Sequence, residues 1–393
     1  MDIDAAFRNI PVLPEHKPYL VIQCKTGEFY IDHVVCFGIA SGVGLQGAVM
    51  DALIDYLSAL ELGDNDKWVD DLLNLREPIA VLGPDLWRYG HDMWDIIFAS
   101  APLGVRWSLP KCFPHAFEAT YNGFRWFLIT KRVGLPEEKR TKYLARVDHA
   151  RAQAKGGRGS LTWKDATTLN GTLSHITFVY PAGRARLPNL CAFIADFGPD
   201  PFPGQKRHPA RSVAADLDWW HEALSVIGHT RKLVARGRPV DPDIWVDAST
   251  DWGIGLVVGN SFAAWRWKLP LAEWRTQGRD IGWAEMVAVE LAVLWLEQTG
   301  WADKDVIVRS DNQGVIDAIK NGRSRNFQVN LVIRRTDSVC MAQNIRLDMR
   351  YVESKTNRAD PVSRGVPDDP LVGDLEILYE LPPELTEYLE RDA

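Results

Sequence analysis

The 393-residue chain is poor in the features that fix a class quickly. It has five cysteines, at positions 24, 36, 112, 191 and 340, and none forms a CxxC pair. That spacing argues against a zinc ribbon or a disulfide framework and suits buried thiols in a reducing compartment. No apolar run approaches the roughly 20 residues of a membrane span, so no membrane partner is expected. The opening Met1-Asp2-Ile3-Asp4 has neither a basic stretch nor an apolar core and directs nothing to secretion. The expected location is intracellular, in cytoplasm or nucleus. Internal repeats and low-complexity blocks are absent too.

A basic excess is also missing. The net charge is -7 and the pI near 5.8, so the chain as a whole lacks the signature of a nucleic-acid binder. The charge is unevenly placed, however. Residues 131–158 hold nine Lys or Arg against three acids, and residues 367–393 hold nine acids against one Arg. The negative excess reads as an acidic tail, while the basic stretch reads either as a solvated helix face or as a track for a phosphate backbone.

What is present is an ordinary globular composition, 46% apolar and 25% charged, long enough for several folded units. β-Branched and aromatic runs at Tyr19–Gln23 and Phe29–Val35 flank Lys25-Thr26-Gly27 and predict a hairpin. Helical spacing of Leu45, Val49, Leu53, Tyr56 and Leu57 predicts a helix. Gly63 to Asp66 reads as a turn leading to a strand-turn-strand over Lys67–Leu73. Lys155-Gly156-Gly157-Arg158-Gly159 predicts a flexible break, and the Pro-rich 199–209 stretch a loop. From Asp243 onward the pattern becomes three strands (Ile244–Ala248, Gly253–Val258, Ser261–Trp267) and a long amphipathic helix over Trp283–Thr299. A strand (Val306–Ser310), two helices (Gln313–Lys320, Phe327–Gln343) and a strand (Ile345–Val352) follow, giving βββαβααβ.

Nucleotidyl transfer needs carboxylates converging on two divalent ions. Asp70 and Asp71 are adjacent acids where a tight hairpin would expose them. Trp68-Val69-Asp70-Asp71 resembles the Tyr-x-Asp-Asp box of reverse transcriptases, and Asp2-Ile3-Asp4-Ala5-Ala6-Phe7 resembles their upstream Asp-x-x-x-Ala-Phe/Tyr box. Phe37-Gly38-Ile39-Ala40-Ser41 resembles the loop lining the templating base pair. Leu109-Pro110-Lys111 resembles the segment whose lysine lies near the leaving pyrophosphate, and Tyr121-Asn122-Gly123-Phe124 the primer-grip hairpin. The boxes keep family order. The resemblance implies Asp2, Asp70 and Asp71 as metal ligands, Phe7 as the gate against a ribose 2'-hydroxyl and Lys111 as a candidate general acid. Phe37, Gly38, Trp68, Tyr121 and Gly123 would contact nucleotide or primer. Trp68 stands where the family has Tyr or Phe, and the fingers region that precedes the first box is absent, with Asp2 expected on a frayed strand end. The implied module is a truncated palm, polymerase by descent more than by activity.

Metal-dependent phosphodiester cleavage also gathers carboxylates. Asp247 ends the first strand in Trp245-Val246-Asp247-Ala248-Ser249, Glu285 opens the long helix in Ala284-Glu285-Met286-Val287-Ala288, and Asp311 ends the fourth strand in Arg309-Ser310-Asp311-Asn312. Asp360 closes Asn357-Arg358-Ala359-Asp360. Singly each reads as a surface or cap residue; together, in this order, they resemble ribonuclease H. Ala284, Ala288, Leu291, Ala292 and Trp295 form one stripe of the long helix. Glu285 is preferred to its rival Glu290 because Glu-x-x-Ala matches the family. The histidine that often precedes the last acid has no counterpart in Glu353-Ser354-Lys355-Thr356.

Leu169–His175 and Asp216–Trp220 resemble the connection segment of DIRS-like and related retroelements. His175 itself has no acid or nucleophile beside it and reads as structural, and the sixteen tryptophans read as packing.

The expected architecture is therefore a multidomain α+β and α/β chain. It comprises a truncated palm (1–130), a thumb-like basic segment (131–165), a connection (166–240), a ribonuclease H-like domain (241–366) and an acidic tail (367–393). The resemblance implies two Mg2+ or Mn2+ ions per active site and, as partners, an RNA-DNA hybrid, a primer-template and, for an active polymerase, dNTP; nothing indicates an oligomeric state. Two alternatives share the fold: a non-catalytic, domesticated nucleic-acid-binding remnant, and an integrase or transposase using Asp247, Asp311 and Glu353. The second leaves Glu285 and Asp360 without a role.

Overall fold

The computed structural model describes residues 1–84, 86–155, 159–233 and 237–392. The break expected at Lys155–Gly159 falls mostly on residues outside these. The chain divides into two compact units, Met1–Ile129 and Thr130–Ala393. Among the described residues no helix is long and apolar enough to cross a membrane.

In the first unit the predicted hairpin forms, shorter than expected, from Val21–Gln23 and Phe29–Ile31 with Gln23 opposite Phe29. The predicted helix runs Gly42–Ala59, and its inward residues Met50, Leu53 and Leu57 join Ile3, Leu72, Ile96 and Trp107 in one core. The turn expected at Gly63–Asp66 is mostly strand. Asp64–Trp68 pairs with Asp71–Leu75, and the polar residues are tolerated because their side chains alternate between exposed and half-buried positions on a two-stranded ribbon. Glu118–Tyr121 and Phe124–Phe127 form a second tight hairpin, whose Asn122 and Gly123 both take positive φ (50° and 85°), as a type I' turn requires.

Asn74 ties this unit together. Its carbonyl oxygen faces Nε2 of both His91 (3.0 Å) and His115 (2.6 Å), while its amide donates to the Leu62 carbonyl at 2.7 Å. Burial, with Arg76 and His91 adding, lowers the His115 imidazole from 6.5 to about 4. The folded state therefore prefers neutral His115, and the unfolded chain binds its proton first as pH falls. Stability of this unit is expected to be unaffected by His115 above pH 6.5 and to decline between pH 6.5 and about 4. Urea midpoints measured across that range should show the slope, and His115→Gln should flatten it.

The second unit begins with a short strand, Arg132–Gly134, paired with Thr230–Lys232, and between them run helices Glu137–Lys155, Trp163–Ile176, Pro188–Ala195 and Arg211–Ser225. Much of the basic stretch is engaged internally. Arg140 donates to the Leu224 carbonyl, Arg151 and Lys155 both pair with Asp218, Arg146 donates to Thr172, and Arg132 donates to the Thr230 carbonyl. These five cations bind helix to helix and strand to strand, so neither a freely solvated face nor a free phosphate track describes them.

A six-stranded sheet follows: β1 (Val240–Ala248), β2 (Gly253–Val258), β3 (Ser261–Trp267), β4 (Asp305–Ser310), β5 (Arg346–Tyr351) and β6 (Leu389–Asp392), in spatial order β5-β4-β1-β2-β3-β6. The hairpins β1-β2 and β2-β3 are antiparallel, and β4 and β5 add in parallel on the other side. Parallel neighbours require crossovers, here α1 (Ile281–Gln298) before β4 and α2 (Gln313–Asn321) with α3 (Phe327–Ala342) before β5. This is the βββαβααβ order read from the sequence, with an unforeseen short helix, Leu271–Arg275, ahead of α1. The expected apolar stripe on α1 is an understatement, since every residue from Trp283 to Val293 is buried. The C-terminal segment helps to cover it, for Tyr379 donates to the Leu291 carbonyl at 3.0 Å and Gln298 to that of Glu376 at 2.7 Å.

Residues 367–393 are thus more than an acidic tail. β6 adds to the edge of β3, with Leu389 opposite Trp267 and Ala264 opposite Asp392, and Leu375, Leu385, Tyr388 and Leu389 enter the main core. Acidic composition coexists with burial because the apolar residues of the segment enter the core while its acids stay at the surface, Glu390 pairing with Arg266 at 2.7 Å. Leu389→Ala is expected to lower the stability of the second unit by about 2–5 kcal/mol, measured by chemical denaturation.

Candidate metal centre and nucleic-acid interface

The parallel register of β1 and β4 sets the site. Trp245 lies opposite Arg309, so Asp247, near the end of β1, and Asp311, just past the end of β4, come side by side. Glu285 comes from the first turns of α1, whose start is fixed by the Asp280 side chain accepting from the Trp283 amide at 2.9 Å. One ligand oxygen from each of Asp247, Glu285 and Asp311 lies within 4.8 Å of the others, and among the described residues this is the one group of three or more such ligands that close.

Asp247 and Glu285 are buried, and one Glu285 carboxylate oxygen, Oε2, has no hydrogen-bond partner. Burial raises the Glu285 carboxyl well above its ordinary range, with Asp247 and Asp311 adding to it. Asp247 is raised as well, by burial first; the Ser363 hydroxyl opposes the shift and Asp311 and Asp360 reinforce it. Buried acceptors without donors and crowded like charges are both relieved by a cation. The all-oxygen donor set suits a hard divalent ion such as Mg2+ or Mn2+, so the three residues fit the metal that the sequence reading calls for.

Asp360 stands outside this group. It opens the short helix α4 (Asp360–Ser363), and Arg364 holds its two oxygens at 2.8 and 2.9 Å. Glu290 is likewise excluded, since its carboxylate is taken by Arg335 at 2.6 and 2.7 Å. Glu353 follows β5 and is not among the three.

In the first unit, Asp2 is held on both sides, contrary to the frayed end expected. The Leu72 amide donates to Met1 at 2.7 Å, the Ser108 amide to Asp2 at 2.9 Å, and Asp2 bridges Asp71. Asp71 is raised by burial, then by Asp70 and Asp2. Lys111 sits 3.1 Å from the Asp2 carboxylate. Asp2, Asp70 and Asp71 are thus neighbours, but they do not form a group as tight as that around Asp247. Val69, at the first position of the Val69-Asp70 turn, has φ of 57°, a conformation β-branched residues resist. Phe7 and Phe37 rings stand 5.2 Å apart, Gly38 takes φ of 93°, and Trp68 is exposed. Tyr121 precedes Gly123 in its hairpin, and burial pushes its unpartnered hydroxyl up to about 12.

No family model matches the chain, and no curated protein does. Two solved structures of the foamy viral protease-reverse transcriptase align with most of it. The complex with dsDNA is 14% identical over 90% of this chain and 67% of that one, with a TM-score of 0.42. The complex with an RNA/DNA hybrid is 11% identical over 93% and 66%, with a TM-score of 0.34. The chain spans about two thirds of the length of each. Likenesses this distant define no family, and the site geometry supports the functional reading by itself.

Three residues without an assigned role in the sequence reading also belong to this centre. Asn357 donates from Nδ2 to the Val246 carbonyl (3.1 Å), Asp311 (3.3 Å) and Asp247 (3.4 Å). Ser354 donates to Asp311 and Ser363 to Asp247. Only their presence in the segment around Asp360 could have flagged them. Because the carboxylates repel one another, Asp311→Asn is expected to stabilise the metal-free protein by about 1–2 kcal/mol. An asparagine removes a charge while its oxygen still accepts from Asn357 and its NH2 donates to the Ser354 hydroxyl, which turns to accept. Thermal melting in EDTA, compared with the parent chain, measures this.

Proposed function

We propose that the second unit is a divalent-metal-dependent nuclease of ribonuclease H type that cleaves the RNA strand of an RNA-DNA hybrid. The observation that supports it is the meeting of Asp247, Glu285 and Asp311 from β1, α1 and β4 of a βββαβααβ sheet. These three would hold one ion, and Asp360, released from Arg364, would contribute to a second. Such ions supply an activated water and neutralise charge developing on the phosphate. The chain's own contribution is to desolvate the carboxylates and keep their oxygens convergent, so that ion binding replaces protonation of Glu285 and Asp247. The hybrid as substrate rests on the motif resemblance.

We assign the first unit to a polymerase palm by descent. Asp2, Asp70 and Asp71 would be its metal ligands, Phe7 its sugar gate and Lys111 a general acid beside the leaving pyrophosphate, with primer-template and dNTP as partners. A retroelement of DIRS-like or LTR type is the source that the connection motifs favour. In the integrase-like alternative Glu353 would have to replace Glu285, and the three-acid group does not include it.

The purified chain is expected to cleave a labelled RNA-DNA hybrid with Mg2+ or Mn2+ and to lose cleavage in EDTA or on Asp311→Asn. No cleavage by the parent, or equal cleavage by the variant, would refute the nuclease. Tight hybrid binding without cleavage would instead favour a domesticated binding protein. Primer extension by the same preparation is expected to be absent, since the acids of the first unit are not drawn together as those of the second are.

A further inference from the structure

The donors to Asp247 and Asp311 come from one stretch of ten residues. Ser363 donates to Oδ2 of Asp247 and Ser354 to Oδ2 of Asp311, while the Asn357 amide faces Oδ1 of both. Every oxygen of these two carboxylates is therefore addressed by the segment 354–363, whereas Glu285 Oε2 is addressed by nothing.

The segment is itself fixed at several points. Arg358 pairs with Asp243 at 2.7 Å and donates to Asn260 at 3.0 Å. The Ala359 amide donates to Asn357 Oδ1 at 3.1 Å, which sets which edge of the Asn357 amide faces the acids. Ala359 and Val362 are buried against Val257 and Ala264. Gly255, opposite Asp247 on β2, leaves the space: a Cβ there would lie 2.7 Å from the Ala359 carbonyl and 2.8 Å from the Ser363 amide.

We infer that residues 354–363 form a strap that orients the metal-ligating carboxylates, with Ser354, Asn357 and Ser363 as positioning residues that set divalent-ion affinity through Asp247 and Asp311. The inference rests on the metal-centre reading above and extends it to groups that are not ligands. The physical basis is that a carboxylate rotates about a single bond unless its oxygens are held. Donors to the outer ligand lone pairs reduce what ordering costs when the ion arrives. The Asn357 amide also places partial positive charge between two like charges.

The test uses the full chain and Mn2+ alone, titrated calorimetrically and by the resonance signal of the free ion. Asn357→Ala and Ser354→Ala are each expected to weaken Mn2+ binding by about tenfold or more, and Ser354→Thr, which keeps the hydroxyl, to bind as the parent does. Ser354 is exposed, so its variants do not threaten the core. A purely structural role would lower the melting temperature of Asn357→Ala and leave the dissociation constant of the folded protein unchanged. That result, or unchanged affinity in Ser354→Ala, overturns the strap while the metal centre stands. No Mn2+ binding by the parent chain overturns the metal centre and the strap with it.

Discussion

Three carboxylates sharing a largely buried space form the interaction to which the second unit is built. Bringing Asp247, Glu285 and Asp311 together costs free energy in the absence of a cation, because Asp247 and Glu285 are desolvated and the three carboxylates crowd one another. The cost is tolerable because the backbones that bear them are immobile. Asp247 and Asp311 extend from adjacent parallel strands whose register is enforced by the sheet, and Glu285 belongs to a helix buried on nearly every side.

That immobility depends on parts of the chain distant in sequence. Arg334 on α3 reaches Asp216 at 2.8 Å and the Ala185 carbonyl at 2.9 Å, joining the helical region before the sheet to the helix that packs on α1. The pair is buried, so its worth lies in fixing one arrangement more than in added stability. From the other end, β6 covers the open edge of β3 and delivers Leu385, Tyr388 and Leu389 to the same core. Charge serves architecture repeatedly: cations of the basic stretch bridge helices, and the acidic C-terminal segment sets Glu390 against Arg266 where it adds as a strand.

The two units treat their acids differently. In the second, carboxylate oxygens converge and hydrogen-bond donors from one segment orient them. In the first, Asp2, Asp70 and Asp71 sit on neighbouring extended segments around a tight turn, and Lys111 neutralises Asp2. A salt bridge there answers the charge that an ion would otherwise answer. The arrangement a divalent metal ion requires is therefore more complete in the second unit than in the first.

The sequence by itself determined most of the elements of the second unit's sheet and its crossover helices. Periodicity located β2 to β5 and α1 to α3 to within two residues and the end, though not the start, of β1, because side-chain alternation and helical spacing are local properties of the chain. Glu-x-x-Ala spacing favoured Glu285 over Glu290; in the structure Glu285 lies beside Asp247 and Asp311, and Glu290 pairs with Arg335. Tertiary structure alone decided what depends on partners far away in the chain. It turned an apolar stripe on α1 into a helix buried at every residue from Trp283 to Val293 and made a strand of the acidic C-terminal segment. It also placed Ser354, Asn357 and Ser363 over Asp247 and Asp311. A hydroxyl or amide carries no periodic signal, and its role appears only when folding brings an acceptor within about 3 Å.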